Sequence, residues 1–306
     1  MAKREPVFLP LSPEFPLYII DLVMENKIKM VYWDLGGTIV DLSPAIKERA
    51  VKKINTTYHC SISVEMFDQE IKAEWERREN HNAQKKIKSV NDDTKEKQYW
   101  IEFYMCVLKK LNIRVKDRNI VKWLATMQSN PQSFVELPFV RETIKNLREK
   151  NIPVGVISNA FPSARKILDK NGLIQEFNEQ HVILSYEYNS VKPERTIYKK
   201  AIANAKVKPQ EILFIDDRKS FVDGATASGM KAVVINDAKG EKFSGSGRPK
   251  LEKIEYLTKK LFVTIRFVIH RFIQILNRSA QLITGILCHQ RAQQRYSESS
   301  LLRQGT

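Results

Sequence analysis

Residues that could carry out chemistry follow the first strongly apolar run of this 306-residue chain. Asp34 comes at the carboxyl end of the apolar segment 28–34, and Gly36, Gly37 and Thr38 come soon after it. A carboxylate at the end of a strand, next to backbone amides that glycines leave accessible, is suited to chemistry on an anion. Asp34 is therefore the first candidate nucleophile.

Polar residues of complementary chemistry follow three later apolar runs. They are Ser158 and Asn159, then Lys192, then the pair Asp216 and Asp217. Carboxylates are good oxygen ligands for Mg²⁺, and Ser158 and Lys192 can hydrogen-bond and neutralise a phosphoryl group. Taken singly, each segment is also consistent with a turn, a helix cap or a solvated lysine. Together with Asp34, they supply the nucleophile, the metal ligands and the charge-neutralising groups that phosphoryl transfer through an aspartyl intermediate requires.

The elements that would position these residues alternate between strand and helix. The apolar pattern predicts strands at 28–34, 154–157, 182–184, 211–215 and 232–235, and helices at 140–150, 162–170, 195–205 and 222–228. Such alternation predicts an α/β fold with a parallel sheet and helices on both faces. In these sheets ligands bind beyond the carboxyl ends of the strands, which is where the candidate residues lie.

The segment 42–131 departs from this alternation, because it is helical in pattern throughout and contains little glycine or proline. Ser43 can cap a helix at its start. Aromatic residues recur at helical spacing within 94–111, and we interpret this stripe as the core of a small bundle rather than as a binding face. The segment is predicted to be a helical insertion within an α/β core made of 28–41 and 132–238.

Composition is that of an ordinary soluble protein, with 42% hydrophobic and 28% charged residues. The widely spaced cysteines Cys60, Cys106 and Cys288 include no Cys-x-x-Cys pair, which predicts a reducing, cytoplasmic environment. Residues 1–27 contain several prolines and no uninterrupted apolar run. We therefore predict no signal peptide and interpret them as an N-terminal extension with a short helix at 17–24.

The net charge of +16 is concentrated in residues 239–306, which contain thirteen basic and four acidic residues. After a linker at 239–248, the pattern of 251–287 predicts a long basic amphipathic helix, followed by a polar tail. Burying its arginines would make a membrane span costly. Three roles stay open for this helix: packing on its own core or on a second copy in a homodimer, peripheral binding to an anionic membrane surface, or binding to nucleic acid or an acidic partner protein.

Four segments resemble, in order and spacing, motifs one to four of the haloacid dehalogenase-like hydrolase superfamily. They are Asp-Leu-Gly-Gly-Thr at 34–38, Ile-Ser-Asn at 157–159, Val-Lys-Pro at 191–193 and Phe-Ile-Asp-Asp at 214–217. The resemblance covers 28–238, and the helical insertion after motif one is similar to that of the subfamily with a helical C1 cap. It implies a Rossmann-like core, a cap at 42–131 that selects the substrate, and Mg²⁺ as cofactor.

The resemblance also implies a role for each candidate residue. Asp34 would be the nucleophile, and Lys192 would neutralise charge on it and on the phosphoryl group. The metal ligands would be Asp34, Gly36 through its carbonyl oxygen, Asp216 and Asp217. The groups that hold the substrate would be Gly37, Thr38, Ser158, Asn159 and Lys192. As in phosphoryl transfer generally, these groups would act by positioning and electrostatics.

Two residues depart from the family pattern. Gly36 stands where most phosphatases of this family carry a second aspartate, which protonates the leaving group and then activates water. General acid–base catalysis contributes roughly 10² to 10⁴-fold, so its absence predicts slow turnover, a good leaving group or another proton carrier, for which Asp41 is the nearest candidate in sequence. Phe221 stands where a polar residue often supports the metal ligands, which predicts weaker metal binding.

Three functions stay open. The leading hypothesis is a Mg²⁺-dependent phosphatase that cleaves a small phosphorylated metabolite through an aspartyl-phosphate on Asp34. The first alternative is a catalytically weak or silent protein of this fold that acts as a binding or membrane-associated scaffold through its tail. The second is hydrolysis of a carbon–halide bond by the same aspartate, although that subgroup usually dispenses with magnesium and carries tyrosine where Gly36 stands.

Overall fold

The computed structural model describes residues 7–13, 15–79 and 87–236. The predicted basic helix at 251–287, the linker before it and the polar tail after it lie outside these residues. Among the helices that the structure describes, none is both long enough and apolar enough to cross a bilayer.

The strands confirm the predicted α/β fold. In chain order they are β1 (Val7–Pro10), β2 (Met30–Trp33), β3 (Val40–Leu42), β4 (Phe134–Glu136), β5 (Val154–Ser158), β6 (Val182–Leu184), β7 (Ile212–Asp216) and β8 (Lys231–Asn236). Six of them form one parallel sheet in the order β1-β8-β7-β2-β5-β6, while β3 and β4 form a separate antiparallel pair. The strand that delivers Asp34, β2, therefore lies inside the sheet between β7 and β5.

Helices cover both faces of the six-stranded sheet. In chain order the helices are α1 (Phe15–Glu25), α2 (Pro44–Tyr58), α3 (Val64–Glu79), α4 (Asp93–Lys110), α5 (Arg118–Ser129), α6 (Val140–Glu149), α7 (Ser163–Lys170), α8 (Ser185–Tyr188), α9 (Arg195–Ala205) and α10 (Lys219–Ala227). One hydrophobic cluster joins the sheet to α1, α6 and α7, and a second joins it to α9 and α10. Along β2, Trp33 belongs to the first cluster and Tyr32 to the second, as the period of two in a strand requires.

The helices α2 to α5, which we call the helical insertion, lie in the chain between β3 and β4. Because β3 and β4 pair with each other, the outgoing and returning chains are joined at the base of the insertion. The predicted aromatic stripe forms its interior, where Trp100, Phe103 and Tyr104 of α4 are buried against the other helices. The Oγ atom of Ser43 accepts a hydrogen bond from the N–H of Ile46 at 3.3 Å, so the predicted cap at the start of α2 is present.

Three short strands were missed by the sequence prediction. The residues of β1 fall within 1–27, which was predicted to be an extension with a short helix. They pair in parallel with β8, with Val7 opposite Val233. The nearby prolines hide this edge strand, since proline within an apolar run normally argues against a strand. The other two, β3 and β4, have three residues each and are too short to show an alternating pattern.

Phe103 allows a test of the interior of the helical insertion. Its ring is fully buried and lies 5.4 Å from the rings of Trp100 and Tyr104, centroid to centroid. We expect Phe103→Ala to lower the free energy of unfolding by about 3–5 kcal/mol, because it leaves a cavity among aromatic rings. Met66→Ala, at a side chain that is 46% exposed, is the control and should change it by less than about 0.5 kcal/mol in urea denaturation. Equal losses in the two variants would contradict this packing.

Candidate active site

Asp34 lies where β2 ends, at the carboxyl edge of the sheet. Its N–H donates to the carbonyl oxygen of Ile215 in β7 at 2.8 Å, which continues the strand pairing by one residue. The residue is only 6% exposed. In the turn that follows, the N–H of Gly37 donates to the carbonyl of Val40 at 2.8 Å. The sheet and this turn therefore fix the carboxylate at the edge where ligands bind in parallel sheets.

Lys192 is fully buried and joins two of the candidate carboxylates. Its Nζ atom donates to Oδ2 of Asp216 at 2.6 Å and lies 2.7 Å from Oδ1 of Asp34. Burial acts to lower the pKa of Lys192, but the charges of Asp216 and Asp34 outweigh it, and the pKa is raised. The ammonium is therefore held in its charged form between the ends of β2 and β7.

Asn159 holds the backbone on which Lys192 is carried. Its Oδ1 atom accepts a hydrogen bond from the N–H of Lys192 at 2.6 Å, and its Nδ2 atom donates to the carbonyl of Lys192 at 3.0 Å. Both ends of the Asn159 amide are thus engaged with one residue of a neighbouring loop. In this structure Asn159 orients Lys192, a role that the sequence analysis did not foresee.

Asp34, Asp216 and Asp217 form a compact carboxylate cluster, in which one oxygen of each lies within 4.8 Å of the others. Burial, with the nearby charge of Asp34 adding to it, raises the pKa of Asp217 to about 6. Burial also raises the pKa of Asp216, although Lys192 opposes the shift. Arg218 opposes the shift at Asp217, so three carboxylates are balanced by two nearby cations, Lys192 and Arg218, and the cluster favours a further positive charge.

The cluster has the chemistry of a site for a hard divalent cation such as Mg²⁺. Its donors are carboxylate oxygens, which is the donor type that Mg²⁺ prefers. The Oδ1 atom of Asp217 is buried and has no hydrogen-bond partner among the described residues, so this oxygen is available to coordinate an ion. Asp34, Asp216 and Asp217 are therefore the residues that would hold the ion.

The two glycines after Asp34 differ in how much space surrounds them. At Gly37, whose φ is +78°, an added Cβ would lie 2.7 Å from Oδ2 of Asp217, so a side chain there would collide with the cluster. At Gly36, an added Cβ would meet no atom within 4 Å. The missing acid at Gly36 is therefore a chemical difference from the family pattern and not a steric necessity.

Phe221 contacts the lysine at the centre of the site. The centroid of its ring lies 4.6 Å from Nζ of Lys192, and the ring of Phe214 lies 5.3 Å from the same atom. A cation over an aromatic face gains about 0.5–2 kcal/mol, more when the pair is shielded from water. The sequence analysis treated Phe221 only as the loss of a polar support, whereas the structure gives its ring a contact of its own.

A cleft of about 230 Å³ lies between the core and the helical insertion and contains this site. From the core it is lined by Asp34, Gly36, Gly37, Ser158, Asn159, Lys192 and Asp217. From the insertion it is lined by residues that include Lys47, Asp68, Ile71, Lys72, Trp75 and Trp100. The residues of α3 in this set are spaced as one helix face, but nothing in the sequence indicates that this face meets the site.

Not every predicted residue reaches the cleft in the same way. Asp216 is fully buried behind it, in contact with Lys192. Thr38 is also fully buried, and its hydroxyl has no hydrogen-bond partner within the described part of the chain. Asp41, the nearest acid in sequence, lies on the cleft wall with its Oδ2 atom 3.0 Å from Nζ of Lys47. The proton-carrying role considered for Asp41 would therefore have to compete with an ion pair.

The comparisons with known proteins agree with this fold. The family model for haloacid dehalogenase-like hydrolases matches residues 28–229. The glyceraldehyde 3-phosphate phosphatase of Pyrococcus furiosus is 25% identical over 215 residues, which are 68% of this chain and 80% of that protein. The uncharacterized protein YMR130W of Saccharomyces cerevisiae is 26% identical over 147 residues, or 42% of this chain. The match to the yeast protein spans 48% of its length, so this chain corresponds to about half of that relative.

Solved structures share the fold at lower identity. The L-2-haloacid dehalogenase from Xanthobacter autotrophicus superposes with a TM-score of 0.50 and 18% identity, over 75% of this chain and 88% of that one. The family match extends over more than half of the chain and includes all four motifs. The chain belongs to the haloacid dehalogenase-like hydrolase family.

Proposed function

We propose that this hydrolase is a phosphatase that uses Mg²⁺ and cleaves a small phosphomonoester through an aspartyl-phosphate on Asp34. The observation that carries the proposal is the buried ammonium of Lys192, held between Asp34 and Asp216 inside a three-carboxylate cluster at the floor of a cleft. The similarity to a phosphatase at 25% identity supports the same reaction class. The cleft volume of about 230 Å³ suits a small substrate.

In the first step, a carboxylate oxygen of Asp34 attacks phosphorus, and the bond from phosphorus to the leaving oxygen breaks. Lys192 offsets negative charge on the nucleophile and on the phosphoryl oxygens, which Ser158 would also hold by a hydrogen bond. A bound Mg²⁺ would supply further charge stabilisation at the phosphoryl group. In the second step, water attacks the phosphorus of the aspartyl-phosphate, which releases inorganic phosphate and restores the carboxylate.

The proposed mechanism lacks an evident side chain that protonates the leaving group. Gly36 has no side chain, and the carboxylate of Asp41 pairs with Lys47 and also accepts from the N–H of Leu42 at 2.7 Å. We therefore expect the enzyme to favour phosphate esters whose leaving groups are stable without a proton. Carbon–halide hydrolysis is the less favoured alternative. That reaction does not need a cluster of three carboxylates in which one oxygen is available to coordinate an ion.

The nucleophile is tested by Asp34→Asn. The amide keeps the size of the side chain but is a far weaker nucleophile, so phosphate release from a panel of phosphorylated metabolites with Mg²⁺ should fall by at least about 10³-fold. Asp169→Asn, at an exposed position of α7, is the matched control and should retain the wild-type rate. Equal rates in the wild type and Asp34→Asn would refute the proposal.

The missing acid is tested by Gly36→Asp. Because the position is open, we expect the new carboxyl group to fit and to raise the rate for esters of poor leaving groups, up to the roughly 10² to 10⁴-fold range of general acid–base catalysis. Gly36→Asn has the same size without the acid and should give no gain. The comparison is made between an alkyl phosphate and p-nitrophenyl phosphate, and a gain confined to the second ester would count against this explanation.

The metal site is tested by the thermal stability of Asp217→Asn. Mg²⁺ that binds only to the folded state should raise the Tm of the wild type. At a Mg²⁺ concentration one hundred times Kd, the free energy of unfolding should rise by about 2.7 kcal/mol. Without metal at pH 7.5 the variant should be at least as stable as the wild type, since burial disfavours the ionised carboxylate. The rise in Tm on addition of Mg²⁺ should be smaller in Asp217→Asn than in the wild type. An identical Mg²⁺ response would exclude Asp217 as a ligand.

A further inference from the structure

Two loops of the core send an apolar side chain into the interior of the helical insertion. Phe161 follows the Ser158–Asn159 pair, and Val191 directly precedes Lys192. Both are buried in the same hydrophobic cluster as the helices of the insertion. The ring of Phe161 lies 4.7 Å from that of Tyr99 and 5.3 Å from that of Trp100, centroid to centroid. The loop that follows Ser158 (159–162, the Ser158 loop) and the loop that carries Lys192 (189–194, the Lys192 loop) are thus packed partly by the insertion.

A buried carboxylate of the insertion adds a polar contact to the first loop. Glu96 of α4 is 1% exposed, and its oxygens accept hydrogen bonds from the N–H of Ser163 at 3.0 Å and from the Ser163 hydroxyl at 2.5 Å. The indole N–H of Trp100 donates to the same carboxylate at 3.3 Å. Ser163 begins α7 directly after the Ser158 loop, so Glu96 holds the far end of that loop. A buried charge is tolerated only with such partners, and removing it leaves the donors unpaired.

A second polar contact reaches the loop that carries Lys192. The Nζ atom of Lys88 lies 2.6 Å from Oε1 of Glu194, and both side chains are half-buried. The other oxygen of Glu194 accepts from the Ser190 hydroxyl at 3.3 Å and from the N–H of Val191 at 3.4 Å. Lys88 therefore pairs with the carboxylate that organises the turn around Lys192.

We propose that Lys88, Glu96, Tyr99 and Trp100 of the insertion act as a two-point clamp that positions the Ser158 loop and the Lys192 loop, with Glu96 as the main positioning residue. At the Ser158 loop, Phe161 contacts the rings of Tyr99 and Trp100, and Ser163 donates to Glu96. At the Lys192 loop, Glu194 pairs with Lys88, and Val191 is buried in the hydrophobic cluster of the insertion. None of these contacts involves the three clustered carboxylates. The clamp makes the placement of Ser158 and Lys192 depend on how the insertion is docked. Its effect on turnover rests on the phosphatase function proposed above, whereas its effect on the loops does not.

The test compares Glu96→Ala, Glu96→Gln and the exposed control Lys97→Ala by hydrogen exchange of the full chain. In Glu96→Ala, amides of 158–164 should exchange at least about tenfold faster, the factor that a hydrogen bond to a charged group supplies. In Glu96→Gln, which keeps an acceptor for the Ser163 N–H, they should stay within about threefold of wild type. Unchanged exchange in Glu96→Ala, or an equal increase in Lys97→Ala, would overturn the clamp.

Kinetics then separate positioning from general loss of structure. For any substrate that the wild type turns over, kcat should fall by at least about tenfold in Glu96→Ala and recover with glutamine, while Lys97→Ala keeps the wild-type rate. A fall in kcat without glutamine rescue would contradict the positioning role. If the wild type releases no phosphate at all, the phosphatase proposal fails, and hydrogen exchange still decides the clamp.

Lys88→Ala tests the second contact and does not depend on whether Glu96→Ala folds. It removes one half-buried ion pair, so exchange should accelerate at 190–194 and stay unchanged at 158–164. Unchanged exchange at 190–194 would remove Lys88 from the clamp. Acceleration across both loops would instead show general loosening of the insertion, and would overturn the assignment of separate contacts.

Discussion

The fully buried ammonium of Lys192 is the interaction on which the rest of the site depends. A charge taken out of water is costly unless opposite charges are placed beside it, and here Asp34 and Asp216 supply them from the ends of two adjacent strands. The lysine comes from a loop after β6, on the far side of β5. One ion cluster thus requires that the carboxyl ends of β2 and β7 and the loop after β6 converge. Three carboxylates gather around this ammonium, and carboxylate oxygens are the donor type that a divalent cation prefers.

Much of the core could be predicted from the sequence because one physical rule governs it. Buried parallel strands are short apolar runs, and polar residues that follow them must meet at one edge of the sheet. The strand at 182–184 and the helix at 195–205 were predicted with the bounds observed in β6 and α9. The edge strand β1 was missed because the prolines around it interrupt the apolar pattern, and proline within an apolar run normally argues against a strand.

The residues around the nucleophile were harder to predict than the nucleophile itself. The positions of Trp75 and Lys72 on the cleft wall depend on how a helical insertion packs against the core, and the helical period alone does not select the face that meets the site. Phe221 shows the same limit. Its sequence position indicated a lost polar group, but the contact of its ring with Lys192 arises only when α10 and the Lys192 loop are both in place. Strand ends are local features, whereas these contacts are tertiary.

The pairing of β1 with β8 has a consequence for the order in which the protein can be made. Val7 is synthesised before its partner Val233, which comes after the rest of the described core in the chain. Until then β8 does not exist, and β1 lacks the strand with which it pairs in the described part of the sheet. An unpaired edge segment is open to association with other chains. Among the described strands, β1 can therefore join the sheet only after β8, which is synthesised last of them.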